Sequence, residues 1–175
     1  MADIPTPHTP THETAADTVV NPAHLVQAVE LATANAATGQ MPFGALVLIG
    51  NDVVATGVNT ALRDLDPLAH AEVAAVRNAC RYTGSLVLRD ATVVSSCEPC
   101  AMCHAVAAAV GVHRIVYAAT KESVGDLGGP GDPQHLAVLS QMRDALRAAA
   151  PGQVVHVPIA GAEVPFDRYR AGAGR

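Results

Sequence analysis

The stretch ATVVSSCEPCAMCHAVAAAVGVHRIVYAAT, residues 91–120, decides the fold. ATVVSS is a Val-rich run suited to a buried strand, the Ala-rich segment from Pro99 to Val110 reads as a helix, and RIVYAAT is a second strand. Strand, helix and strand at this spacing form the unit of a sheet covered by helices. The segment also carries a chemical question, because Pro99 opens the helix with Cys100 and Cys103 in its first turn.

Upstream, NPAHLVQAVELATANAATGQ offers Asn21 as N-cap, Pro22 at the first helical position and Gly39 as the stop. FGALVLIG and VVATGVN then read as a hairpin turning at Gly50-Asn51-Asp52, and the loop ALRDLDPLA leads to a helix from about His70 to Arg81. Downstream of the Gly- and Pro-rich GDLGGPGDP, Asp132 is placed to cap and Pro133 to open a helix reaching Ala149, before a last strand VVHVPIA. The order αββαβαβαβ predicts a three-layer α/β/α sandwich with a mixed sheet of about five strands. Such sheets place their chemistry at the C-terminal ends of the strands.

With 175 residues, half of them apolar, the chain is long enough for one core, and residues 21–160 are expected to form one domain. Residues 1–20, rich in Pro, Thr and His, read as a flexible tail in which His8 and His12 are solvated; residues 161–175 form a separate C-terminal segment. Aromatic residues are only 3% of the chain, so the core must be Val, Leu and Ala. The net charge of −5 and scattered Lys and Arg argue against a nucleic-acid partner. The sequence has no apolar run of about 18 residues, and its first residues lack the pattern of a signal peptide, so a cytoplasmic protein without membrane contact is expected. In a reducing compartment four cysteines are thiols or metal ligands.

Cys100 and Cys103 lie a turn apart on one helix face, where the helix N-terminus stabilises thiolates. Such a pair alone is ambiguous between zinc and redox chemistry. His70-Ala71-Glu72 also stands at a helix start, and since a regular helix would set His70 and Glu72 about 200° apart, they share a site only at its end. One His and two Cys plus an open position is the ligand set of a catalytic zinc, with Glu72 beside it.

HAEV at 70–73 with PCAMC at 99–103 resembles the cytidine deaminase-like superfamily, above all its nucleobase and tRNA adenosine deaminase branch, whose signature is H-x-E followed by P-C-x-x-C. The resemblance spans roughly residues 22–160 and includes PFGA at 42–45 and Asn59 before DPLAHAE. It implies that His70, Cys100 and Cys103 hold Zn2+ and that Glu72 moves protons, with Glu98 a flanking residue of the motif. It further implies that Asn59 meets the edge of the base, Phe43 its face, and the Ala71 N–H its carbonyl.

SSCEPC and VYAAT are most similar to bacterial guanine deaminases, in which an acidic loop reads the purine. Here that loop is KESVGDLGG, with Ser123 where those enzymes tend to carry Asp and with Glu122 and Asp126 nearby. PFDRYR at 165–170 resembles the aromatic C-terminal segment of that branch, sometimes supplied by the other subunit, making Phe166 and Tyr169 candidates to stack on or cover a base, or else packing residues. His104 departs from the small residue usual after the second cysteine and reads as a core histidine or part of the pocket wall. The expected protein is thus a homodimeric zinc deaminase of a free, guanine-like nucleobase. The alternatives are cytosine, isoguanine or an aminotriazine as substrate; a nucleoside or tRNA adenosine deaminase; a silent zinc scaffold; and a redox protein. Cys80 and Cys97 read as small buried side chains.

Overall fold

A computed structural model describes residues 20–127, 133–150 and 153–172. The chain order is α1 (Pro22–Ala37), β1 (Gly44–Ile49), β2 (Asp52–Val58), a short α2 (Ala61–Asp64), α3 (Ala71–Thr83), β3 (Ala91–Cys97), α4 (Ala101–Ala109), β4 (Arg114–Ala119), a short α5 (Lys121–Val124), α6 (Pro133–Ala149), β5 (Val154–His156) and α7 (Val164–Gly172). The strands form one mixed sheet in the order β2-β1-β3-β4-β5. β1 is antiparallel to β2 and β3, whereas β3, β4 and β5 run parallel. The expected mixed, five-stranded sandwich is present.

Strand alternation divides the core between the two faces. Leu46, Leu48, Val94, Val116 and Ala118 pack with Leu25, Ala28 and Val29 of α1 and Phe166 of α7. Ala45, Val47, Val93 and Ile115 pack on the other face with Ala71, Ala75 and Val76 of α3 and Ala107 of α4. Small side chains let helices and sheet approach closely, and Gly57 is the extreme case: a Cβ there would collide with the Ala71 carbonyl oxygen and the Ala75 nitrogen. β2 therefore lies directly against the first turns of α3.

Asn21 Oδ1 accepts the Ala23 N–H at 3.0 Å with Pro22 opening α1, and Gly39 at φ +79° carries the chain away from its end. Two helices begin later than the sequence suggests. His70 and Cys100 both take extended backbone angles as N-caps, so α3 starts at Ala71 and α4 at Ala101, with Pro99 left in the loop. The last strand is shorter than VVHVPIA: Val157 N–H still reaches the Tyr117 carbonyl, but Pro158 has no N–H to continue the ladder. The C-terminal segment includes the unanticipated α7, which packs on α1 of the same chain. The tail with His8 and His12 and the Asp132 cap lie outside the described residues. Among the described residues no helix is long and apolar enough to cross a membrane.

Candidate active site

The C-terminal ends of β2, β3 and β4 and the start of β1 share one edge of the sheet. α3 and α4 both begin there. Their N-caps, His70 and Cys100, stand 3.6 Å apart from His70 Nδ1 to Cys100 Sγ. Cys103 Sγ completes the triangle, 3.6 Å from Cys100 Sγ and 3.6 Å from His70 Nδ1. Donors of a tetrahedral zinc, at about 2.3 Å for sulfur and about 2.0–2.1 Å for nitrogen, stand about 3.5–3.8 Å apart. The triangle has the size the ion requires, and these three residues are positioned to bind a metal ion.

Without metal, the two thiols divide one proton between them. The Cys103 thiol and His70 lower the Cys100 pKa to about 3, while the neighbouring thiolate and burial push Cys103 well above the usual thiol range. The hydrogen bond with Cys100 raises His70. Both helix N-termini turn their dipoles toward the same point, which favours the thiolate form. Cys97 shows the opposite environment: burial raises its pKa, and it remains an inert thiol. Cys80, expected to be buried, is only half-buried because it faces a groove beside α3 and α4.

Glu72 is buried in the first turn of α3. Its Oε2 lies 3.2 Å from Cys103 Sγ, and its Oε1 accepts the Ser95 hydroxyl at 2.7 Å. Glu98 is held quite differently. Its carboxylate accepts from Arg147 and from the Lys121 N–H, so it ties the loop before Cys100 to α6 and α5.

The chain matches, over residues 21–119, the family described as the cytidine and deoxycytidylate deaminase zinc-binding region. It belongs to that family. Guanine deaminase of Bacillus subtilis is 45% identical over 62 residues, 35% of this chain and 40% of that protein. Its crystal structure superimposes with a TM-score of 0.57 at 29% identity, covering 70% of this chain and 93% of the other. A tRNA-specific adenosine deaminase of Buchnera aphidicola is 32% identical over 92 residues, 53% of this chain and 57% of that protein. The tRNA(Ile)-lysidine synthase of Deinococcus deserti is 40% identical over 107 residues, 61% of this chain and a fifth (20%) of that protein. The match spans less than two thirds of each of these three relatives.

In this family member the residues expected to meet a base fall into two groups. Asn59, Phe43 and Ala71 stand on the site edge. The Asn59 N–H donates to the Phe43 carbonyl, the Thr60 N–H donates to the Ala69 carbonyl next to His70, and Asn35 Nδ2 donates to the carbonyls of Met41 and Asn59. Asn59 Oδ1 accepts the Ala61 N–H at 3.0 Å, leaving its Nδ2 as the donor. Ala71 opens α3, so its N–H has no acceptor within the helix.

The second group lies elsewhere. Phe166 is fully buried, its ring 6.0 Å from that of Phe43, which corrects the expectation of a stacking lid: it is a core residue of the α1 face. Tyr169 is half-buried on α7. His104 is buried and lines a cavity of about 170 Å³ between α4 and α6, walled by Ala107, Ile115, Leu146 and Val154 and containing none of the metal-binding residues. This burial fits the reading as a core histidine: the α4 turn that sets Cys103 beside His70 carries the next side chain toward α6. Asp126 is exposed, and Ser123 Oγ donates to the Thr120 carbonyl at 2.7 Å. The reading of the sequence missed Asn35 and Ser95, although paired serines ending a Val-rich strand next to the cysteines were a visible signal.

Proposed function

We propose that the protein is a zinc-dependent hydrolytic deaminase of a free, guanine-like nucleobase. One observation carries the reading: the Glu72 carboxylate stands 3.2 Å from a sulfur of the His70-Cys100-Cys103 triangle, with its second oxygen anchored. His70, Cys100 and Cys103 would hold zinc, which when bound would lower the pKa of a water toward ~7 and so supply a nucleophile for the amine-bearing ring carbon. Glu72 would carry one proton from water to the ring nitrogen and a second to the amine, which would leave as ammonia. The base gains a carbonyl oxygen and loses NH3. The Asn59 amide and the Ala71 N–H hold the ring edge by donating hydrogen bonds, and Phe43 packs on its face.

Similarity to the guanine deaminase of Bacillus subtilis favours a free base. A negative chain has little phosphate-binding surface for tRNA, although similarity to tRNA-specific adenosine deaminases keeps that substrate as the second reading. A homodimer in the cytoplasm belongs to the same proposal. It is supported by an apolar groove of about 450 Å³ with Val73, Val76, Leu86, Val106 and Val110 on its walls, and by four free cysteines.

The test is ammonia release by zinc-loaded protein from guanine, guanosine, cytosine, adenine, isoguanine, 5-azacytosine and ammeline, with Glu72→Ala as the blank. Turnover of guanine supports the proposal. Turnover only of pyrimidines or triazines keeps the chemistry and replaces the substrate. Silence on every base alongside activity on a tRNA anticodon stem-loop replaces the free base by tRNA.

A further inference from the structure

β3 is built of Ala, Val and Thr until two serines, Ser95 and Ser96, precede its last residue, Cys97. Because side chains alternate along a strand, Val93 and Ser95 face α3 while Val94 and Ser96 face α1. Both hydroxyls are buried, which costs free energy unless each is bonded. Ser96 has a structural partner, since its Oγ accepts the Gly44 N–H at 3.1 Å and secures the start of β1. Ser95 points at the chemistry: its Oγ donates to Glu72 Oε1 at 2.7 Å and accepts the Cys97 N–H at 3.4 Å.

We propose that Ser95 is a positioning residue of the deaminase, fixing the rotation of the Glu72 carboxylate so that Oε2 faces the metal-binding triangle. The inference rests on the deaminase reading of the site. An O–H···O⁻ bond of this length is among the stronger hydrogen bonds, and it holds one carboxylate oxygen to the sheet, the most rigid element nearby. The other oxygen then has one direction to point. A proton shuttle works only within hydrogen-bond reach of both its partners, so a carboxylate free to turn loses productive geometry without losing substrate affinity. Ser95 does this from β3 and not from the helix that carries Glu72, so the setting of the carboxylate depends on how α3 docks on the sheet.

Ser95→Thr and Ser95→Val test the hydroxyl at constant shape, with Ser95→Ala as the smaller variant. All three are expected to retain full zinc occupancy. Ser95→Val and Ser95→Ala should lose kcat about ten-fold, the effect of roughly one charge-assisted hydrogen bond, with KM unchanged, and Ser95→Thr should recover most of it. In crystals of the zinc-loaded proteins the Glu72 carboxylate should keep one orientation in wild type and Ser95→Thr and turn or split in Ser95→Val. Equal kcat for Ser95→Thr and Ser95→Val, or an unmoved carboxylate in Ser95→Val, overturns the proposal. If the wild-type protein turns over no substrate, the deaminase reading falls by itself, and the crystal comparison still decides whether Ser95 sets Glu72.

Discussion

Arg147 of α6 places Nη1 2.5 Å from Oε1 of Glu98, two residues before Cys100. Arg143 Nε stands 3.8 Å from the same oxygen, and the Glu98 side chain is only 4% exposed. The second acidic residue of the motif is therefore occupied in holding α6 over α4. Glu98→Gln should keep its zinc and its kcat within a few-fold, whereas Glu72→Gln should keep zinc and lose activity by about 10²–10⁴-fold. The stability cost for Glu98→Gln is expected to be about 1–3 kcal/mol, below that of breaking a fully buried pair because Arg147 is partly exposed. Thermal melts and zinc content, measured beside turnover, separate the two carboxylates.

The metal-free thiols should react unequally. With its pKa lowered to about 3, Cys100 stays a thiolate as pH falls from 8 to 5, whereas Cys103, raised by burial and its neighbour, stays protonated. Iodoacetamide should label Cys100 in the apo protein at a rate nearly flat over that range, where an ordinary thiol slows about ten-fold per pH unit. Added zinc should block the labelling. Peptide mass spectrometry reads the site, and preferential labelling of Cys103 would reverse the assignment.

Gly57→Ala should be disproportionately damaging for a single methyl. The new Cβ meets backbone atoms of Ala71 and Ala75, which cannot rotate away. Overpacking of this kind costs about 1–3 kcal/mol, and here it pushes on the turn that carries His70 and Glu72. Both the midpoint of thermal unfolding and zinc affinity should fall. A loss confined to stability, with zinc affinity intact, would show that α3 absorbs the shift beyond its first turn.

Phe166→Ala and Tyr169→Ala should part company. Phe166 is fully buried against Phe43 and α1, and its removal should cost about 3–5 kcal/mol. Tyr169 is half-buried, so Tyr169→Ala should leave the melting temperature within a few degrees. If it covers the substrate, as the sequence resemblance implies, KM rises in that variant. Calorimetry and steady-state kinetics on the pair check this.

The motif residues were legible because their spacing is local. Cys100 and Cys103 are three residues apart at a helix start, Cys100 as the N-cap and Cys103 in the first turn, and Pro99 announces that start from the loop just before it. His70 and Glu72 were legible for the opposite reason, since two residues so far apart around a helix share a site only at its end, and His70 is indeed the N-cap. Strand alternation and the Pro and Gly boundaries gave the layers and five strands. α7 was not legible: PFDRYR read as an aromatic C-terminal segment that either covers a base or packs, and only the contact with α1 reveals a helix whose Phe166 belongs to the core.

By itself the sequence determined the metal-binding set and the sandwich that presents it, because each follows from periodicity or from short separations at a helix start, and it offered Glu72 as the proton carrier through the family resemblance. The tertiary structure decided which partners each carboxylate meets. Glu72 and Glu98 are alike in sequence terms, both acidic and both beside a ligand, but β3 offers Ser95 to the first and α6 offers Arg143 and Arg147 to the second. Those partners lie 23 and 49 residues away along the chain, for Ser95 and Arg147 respectively. A hydrogen bond across such a separation depends on which faces of the sheet and helices meet, and helical or strand periodicity carries no record of that pairing.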